Sequence, residues 1–520
     1  MDDFLVADAY QAVCLAALVL SLTGLILFSC HNLLMLATFL KRRSQSRARE
    51  AEEERGARTM QRFPEILVQL PLYNERHVAE RVLLAASQLD WPADRLTIQV
   101  LDDSDDETSA IIDSCAARLR QEGYPIDVLR RRVRSGYKAG ALAYGLEHAH
   151  AEFVAIFDAD FIPPPEFLRR AIQPLLADER IGVVQCRWDH LNPDENAITQ
   201  VQAIGLDYHF GIEQAAKSWA GLPMHFNGTC GIWRVAAIKA AGGWQADTVT
   251  EDVDLSYRAQ LAGYRVTYRF NIAVPGEIPA TVEAWRSQQY RWAKGSTQTA
   301  LKLLPRIWRS PWPLAHKLSA SIHLTHYSMN ILMLIGILVY PLAIPMFPDF
   351  PGGVKLLGIF ALTAALGGAI ANYVVSQRIV RRKPFGRLLR QFPTFLSLGA
   401  GLAISNSRAI IDSLTTRDAA FIRTPKKGAA RLTSYQVDPK SGIPELLVML
   451  WAVAGNLQAL TPLTPVMLLG VGGFLWVGSV SLSRYLETRS LTPQRPAFAY
   501  LPSPLRPAER QSLLRKPAAE

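Results

Sequence analysis

A chain of 520 residues is too long for one ordinary domain, and its hydrophobic residues fall into two blocks, residues 1–40 and 319–482, around a stretch of mixed charge. The net charge of +10 raises nucleic acid as a partner. The basic residues nonetheless sit beside the hydrophobic blocks, at 41–49, 378–383, 423–427 and from Arg484 onward, a positive-inside pattern that points to a membrane and away from nucleic acid.

Residues 10–40 form the first apolar run. It exceeds the ~20 residues that a span requires, lacks a basic leader and ends in Lys41-Arg42-Arg43, so it reads as a retained span with the acidic Met1-Asp2-Asp3 end outside. Residues 1–40 are therefore the first transmembrane segment, and the charged residues 41–63 read as a linker. The five cysteines, odd in number and without ligand spacing, suggest neither a disulfide framework nor a zinc site.

From 64 to 280 short β-branched runs end at polar or acidic residues and lead into amphipathic stretches. Residues 66–70 run into Pro71-Leu72-Tyr73-Asn74-Glu75, 97–101 into Asp102-Asp103-Ser104, and 153–157 into Asp158-Ala159-Asp160. Helices are expected over 76–88, 106–121 and 139–150. This alternation predicts an α/β domain with a mostly parallel, doubly wound sheet, whose ligands bind beyond the carboxyl ends of the strands, where these acids fall. Asp158 and Asp160 are hard ligands suited to Mg²⁺ or Mn²⁺, with water and a diphosphate completing the shell. Asp102 and Asp103 suit a nucleoside's base and ribose, or the cap of the helix that follows. Further on, Thr250-Glu251-Asp252 precedes a helix over 253–261, and Gln288-Gln289-Tyr290-Arg291-Trp292 lies in 281–317, a stretch of interfacial helices.

The second block, 318–483, is expected to be a helical bundle. Runs 319–346, 356–375, 443–460 and 465–482 read as spans. Counting 392–411, which carries Ser405, Asn406, Ser407 and Arg408, would throw the basic 423–427 segment outside, so it reads as interfacial or re-entrant. Five spans and a cytosolic tail at 484–520, rich in Pro and Arg and expected to be disordered, result. His323, His326 and Asn330 share one helical face that would point to the protein interior or a polar pathway. Gly399-Ala400-Gly401 suits close helix packing or room beside a channel.

The ordered set of Asp-Asp, Asp-Ala-Asp, Thr-Glu-Asp and Gln-Xaa-Xaa-Arg-Trp, followed by membrane helices, resembles the family 2 glycosyltransferases. Among them it is most similar to the processive β-glycan synthases: cellulose synthase and the cellulose synthase-like mannan and glucomannan synthases. The resemblance covers about residues 64–428. It implies a GT-A-like nucleotide-sugar domain in which Tyr73, Glu75, Asp102 and Asp103 border the nucleoside, Lys138 of Lys138-Ala139-Gly140-Ala141 approaches the donor, and Asp158 and Asp160 hold the ion. Asn227, Gly228 and Thr229 with Arg234 would line the acceptor end, where cellulose synthases have Cys-Gly-Ser. Asp252, beside Glu251, takes the role of base; Gln288 and Arg291 lie by the donor and Trp292 against the acceptor sugar. Phe421, Thr424 and Lys426 resemble a gating loop at 421–428, with Arg423 in place of the usual valine.

The implied function is an inverting hexosyltransferase on the cytosolic face of a plasma or bacterial inner membrane. It would polymerise a β-linked polysaccharide from a nucleotide sugar of UDP-glucose or GDP-mannose type and pass the chain through the bilayer, with donor, growing glycan and lipid bilayer as its partners. The alternative is a single addition to a membrane lipid such as ceramide.

Overall fold

The computed structural model describes residues 2–58, 60–343, 352–415, 442–458 and 464–490. Seven apolar runs pair into one sheet: β1 (Ile66–Leu72), β2 (Leu96–Asp102), β3 (Ile126–Leu129), β4 (Phe153–Ile156), β5 (Ile181–His190), β6 (Gly231–Arg234) and β7 (Arg265–Gly276), in the order β3-β2-β1-β4-β6-β5-β7. Central residues such as Val68, Leu70, Val100 and Ala155 are wholly buried, because helices cover both faces of the central strands. The helices Ala79–Ser87, Thr108–Gln121 and Tyr137–Glu147 match the expected ones to within a few residues.

The sheet is mixed. Pairs β1–β2, β2–β3, β1–β4 and β5–β7 are parallel, but β6 runs antiparallel to both β4 and β5. Between β5 and β6 the chain makes helical excursions at Ala197–Tyr208 and Gln214–Ala220, then re-enters at the carboxyl end of β4, where Gly231 pairs with Ile156. That reversal puts the Asn227-Gly228-Thr229 loop beside the Asp158-Ala159-Asp160 turn.

The expected linker is instead helix. The first helix runs from Asp2 to Arg58, and its charged half is fastened to the domain. Buried Glu50 accepts hydrogen bonds from the Phe270 and Asn271 amides (3.1 and 3.3 Å) and from Trp219 Nε1 (3.3 Å). Glu53 pairs with Arg269, and Glu54 with Arg170 at 3.1 Å. Carboxylates spaced three and four apart share one helical face, which is why a charged segment seals against β7.

Among the described residues two helices, Ala9–Ala57 and Lys355–Ile379, are long and apolar enough to cross a membrane. The expected span over 319–346 is two helices, Leu314–Thr325 and Ser328–Ala343, bent by 62° at a break; counted as one span they make a third. Ile443–Gly455 and Gly470–Ser483 are shorter apolar helices. The run over 392–411 is divided between Phe385–Gly401 and Ala403–Thr415. Gly401 serves packing: a Cβ there would lie 2.6 Å from the Gly473 carbonyl oxygen. At the basic end of Lys355–Ile379, Arg381 reaches buried Asp207 (2.9 Å) and Asp189 (2.5 Å), so that end faces the sheet domain.

Candidate active site

The loops leaving β1, β2 and β4, the turn entering β6 and two helices converge on one cavity of about 680 Å³. Tyr73, Glu75, Asp103, Lys138, Asp158, Asp160, Asn227, Gly228, Glu251, Asp252, Gln288, Arg291 and Trp292 all line it. At the β4 turn, Lys138 Nζ donates to Asp158 Oδ1 (2.5 Å) and to the Gly228 carbonyl (2.9 Å). The Asp158 amide donates to Thr229 Oγ1 (2.9 Å), and the Glu277 amide, just past β7, donates to the Asp160 carbonyl (3.2 Å). Thr229 itself is fully buried, so it orients the turn from behind and does not line the cavity.

Asp252 stands in the first turn of helix Glu251–Leu261, whose N-terminus favours a carboxylate. Ser256 Oγ donates to the Asp252 carbonyl (2.6 Å) and accepts from the Phe226 amide (2.9 Å), binding this helix to the Asn227-Gly228 loop. Desolvation on the cavity floor, then the adjacent Glu251 carboxylate, push Asp252 up to about 7 against the pull of the Lys138 ammonium. Desolvation raises Glu251 as well. A carboxylate of that basicity, enclosed and facing a cation, is suited to take a proton near neutral pH.

The 28-residue helix Val282–Arg309 carries Gln288, Arg291 and Trp292. It is locked to the Thr250 loop: Gln298 Oε1 accepts from the Val249 amide (3.0 Å), and Gly295 permits contact so close that a Cβ there would lie 2.4 Å from Thr250 Cγ2. Lys302 further binds Asp247 (2.7 Å) and buried Asp254 (2.9 Å).

Beyond Trp292 the cavity continues into the helical bundle, with Asn32, His323, His326 and Asn330 in its wall. His323 lies in the last turn of the first helix of the bent pair and His326 at the break, so the shared face of an unbroken helix is replaced by a corner. Chain composition gave no sign of the group facing them. A π-helical turn, His209–Glu213, aims His209 Nε2 at Asn227 Oδ1 (3.0 Å) while Glu213 holds His209 Nδ1 (2.9 Å) and Lys217 (2.5 Å). Burial alone would raise Glu213, but Lys217 and His209 hold it well below the usual carboxylate range.

Some expected site residues lie elsewhere. Asp102 is buried off the cavity, bonded to Arg130 Nε, Ser109 Oγ (both 2.7 Å) and the Ser104 amide (3.0 Å), so it organises the loop after β2. Arg234 does not reach the acceptor end either. It lies over Phe153 and donates to the Leu175 (2.5 Å) and Ile181 (3.2 Å) carbonyls. Phe421, Thr424 and Lys426 fall outside the described residues. One missed wall residue, Arg134, had a signal in the arginine run ahead of Lys138.

Residues 64–295 match the family model described as "Glycosyltransferase like family 2". That segment is similar to family 2 glycosyltransferase domains. The chain is 45% identical over 263 residues to "Glucomannan 4-beta-mannosyltransferase 2" of Arabidopsis thaliana, covering 50% of this chain and 49% of the relative. It is 44% identical over 252 residues to "Glucomannan 4-beta-mannosyltransferase 1" of Oryza sativa subsp. japonica, covering 48% of each. The chain thus spans about half the length of the curated relatives it matches. Among solved structures it is similar to a mannosyltransferase from Pyrobaculum calidifontis in complex with GDP-Man and Mn²⁺, at 20% identity and a TM-score of 0.47, covering 74% of this chain and 99% of that one. The matched segment contains every strand of the sheet and ends inside the helix that carries Trp292.

Proposed function

We propose that this chain is an inverting, membrane-bound β-glycan synthase that extends a mannan or glucomannan from a nucleotide sugar on the cytosolic face of a plasma or bacterial inner membrane. The observation that carries the reading is the course of one cavity from Tyr73 and Lys138, past Asp252 and Trp292, to His323 and Asn330 of the bundle. The 4-β-mannosyltransferase relatives support a hexosyl donor and a polysaccharide product.

In this reading Trp292 stacks on the acceptor sugar and holds its hydroxyl toward Asp252, which takes the proton as the oxygen attacks the donor's anomeric carbon. The bond from that carbon to the diphosphate breaks from the opposite side, so no sugar–enzyme intermediate forms. Lys138 and Arg291 offset the charge that develops on the departing diphosphate. Asp158 and Asp160 supply hard oxygen ligands at the strand end and would hold a divalent ion there. Among the described residues no three His, Cys, Asp or Glu side chains cluster for a metal, so diphosphate and water would complete the shell, as Mg²⁺ or Mn²⁺ tolerates. When bound, the ion neutralises diphosphate charge.

Supplying labelled nucleotide sugars to sealed vesicles with the domain outward tests the reading. Long chains at low donor conversion, protected in the lumen from added glycanase, are expected. An organic-extractable lipid bearing a single sugar would overturn it.

A further inference from the structure

We propose that Arg134 reads the base of the donor nucleotide and selects guanine over uracil. The inference rests on the donor-site reading above and names a residue for it that neither the motifs nor the family match assigns. Four arginines, Arg130, Arg131, Arg132 and Arg134, lie between β3 and the Lys138 helix. Two of them are engaged in building the loop. Arg130 binds Asp102 (2.7 Å) and Asp113 (2.8 Å); Arg131 pairs with Asp103 and donates to the Ser135 (2.7 Å) and Tyr137 (3.0 Å) carbonyls. The left-handed backbone of Gly136 and Tyr137 (φ 68° and 48°) turns the chain sharply, and Gly140 lets the Ser135 carbonyl close on the helix, where a Cβ would sit 2.1 Å from it.

This frame holds Arg134 on the cavity wall. Its guanidinium carbon is 3.4 Å from the centroid of the Tyr73 ring and 5.0 Å from that of Tyr137. The Asp103 carboxylate is 3.9 Å from its Nε, beyond hydrogen bonding, and that buried Nε has no hydrogen-bond partner. At such a distance from Tyr73 a tilted guanidinium would drive a nitrogen into the ring. The group therefore lies flat, with its N–H bonds directed outward in its own plane.

A base entering beside Tyr73 and Glu75 meets this fork edge-on. Guanine offers two adjacent acceptors, O6 and N7, which a planar guanidinium engages bidentately. Uracil places its N3–H donor between O2 and O4, so a fork of donors finds one acceptor there and one opposed hydrogen. The geometry thus favours a guanosine diphosphate donor.

Calorimetry on the full-length chain in detergent with Mn²⁺, titrating GDP and UDP separately, tests this. The wild type should bind GDP more tightly than UDP. Arg134→Ala should weaken GDP roughly 10- to 100-fold, the range for losing one bidentate base contact, and leave UDP unchanged. Arg134→Lys keeps the charge without the fork and should lose GDP similarly; it carries the test if the alanine variant does not fold. Equal losses for both nucleotides would mean a diphosphate contact and overturn the proposal, as would undiminished GDP binding or a wild type that prefers UDP. Free-nucleotide binding does not depend on what the chain makes, so a single-sugar lipid product would refute the polymerase reading and leave this result standing.

Discussion

Gly228 and Asp252 face each other at close quarters: a Cβ on Gly228 would lie a tight 3.1 Å from Asp252 Oδ2 and 3.4 Å from Lys138 Nζ. The glycine also holds φ at 80°, which costs other residues roughly 1–2 kcal/mol. Gly228→Ala should therefore lower kcat, though by less than the ~100-fold that displacing a reacting group by an ångström costs, because Asp252 has to give by only a few tenths. Melting temperature should fall by only a few degrees, about what that strain predicts. Steady-state kinetics beside thermal melts check it; an alanine variant with normal turnover would mean that Asp252 need not face this loop.

A base must be deprotonated to act, and Asp252 is pushed up to about 7. The kcat/KM profile should accordingly lose about tenfold per pH unit on the acid side of neutrality and level off above it. Asp252→Asn should abolish transfer at every pH while nucleoside diphosphate still binds, since Lys138 and the Asp158 turn remain. Removing the Lys138 cation with Lys138→Met should move the acid limb to higher pH, because that ammonium holds Asp252 down. A pH-independent wild type would take the base role from Asp252.

Excess chelator should arrest transfer, and Mn²⁺ or Mg²⁺ should restore it. Asp160→Ala should weaken diphosphate binding in the presence of Mn²⁺ and leave the small metal-free binding unchanged, because the lost carboxylate acts through the ion. Calorimetry with and without metal separates the two. Full activity in chelator would end the metal reading.

Gly295→Ala would place a Cβ 2.4 Å from Thr250 Cγ2 and 2.8 Å from the Thr250 amide nitrogen. Overpacking of this kind costs about 1–3 kcal/mol, and relief requires the Trp292 helix to move away from Asp252. We expect reduced stability together with a kcat loss larger than any change in free nucleotide affinity. A variant that loses stability alone would show that the spacing of these two elements is unimportant to turnover.

The amino-acid sequence by itself determined the strands that end at Asp102, Asp158 and their neighbours, because β-branched runs closed by acids leave little choice of element or of which end the acids occupy. It also placed the apolar runs at 10–40 and 356–375, which the described helices Ala9–Ala57 and Lys355–Ile379 match in a length sufficient for a bilayer. Only the tertiary structure decided which residues of the motifs reach the cavity. Asp102 and Arg234 read like their neighbours in one dimension, yet the first is enclosed by Arg130 and Ser109 and the second turns toward the Leu175 carbonyl. The antiparallel turn into β6, the bend between Thr325 and Ser328, and the π-helical turn at His209 likewise depend on long-range packing that local periodicity does not carry. The charged half of the first helix shows the same limit. Its composition suits a linker, and it takes the Phe270 and Asn271 amides waiting on β7, with Trp219 Nε1, to make a buried Glu50 stable in a helix.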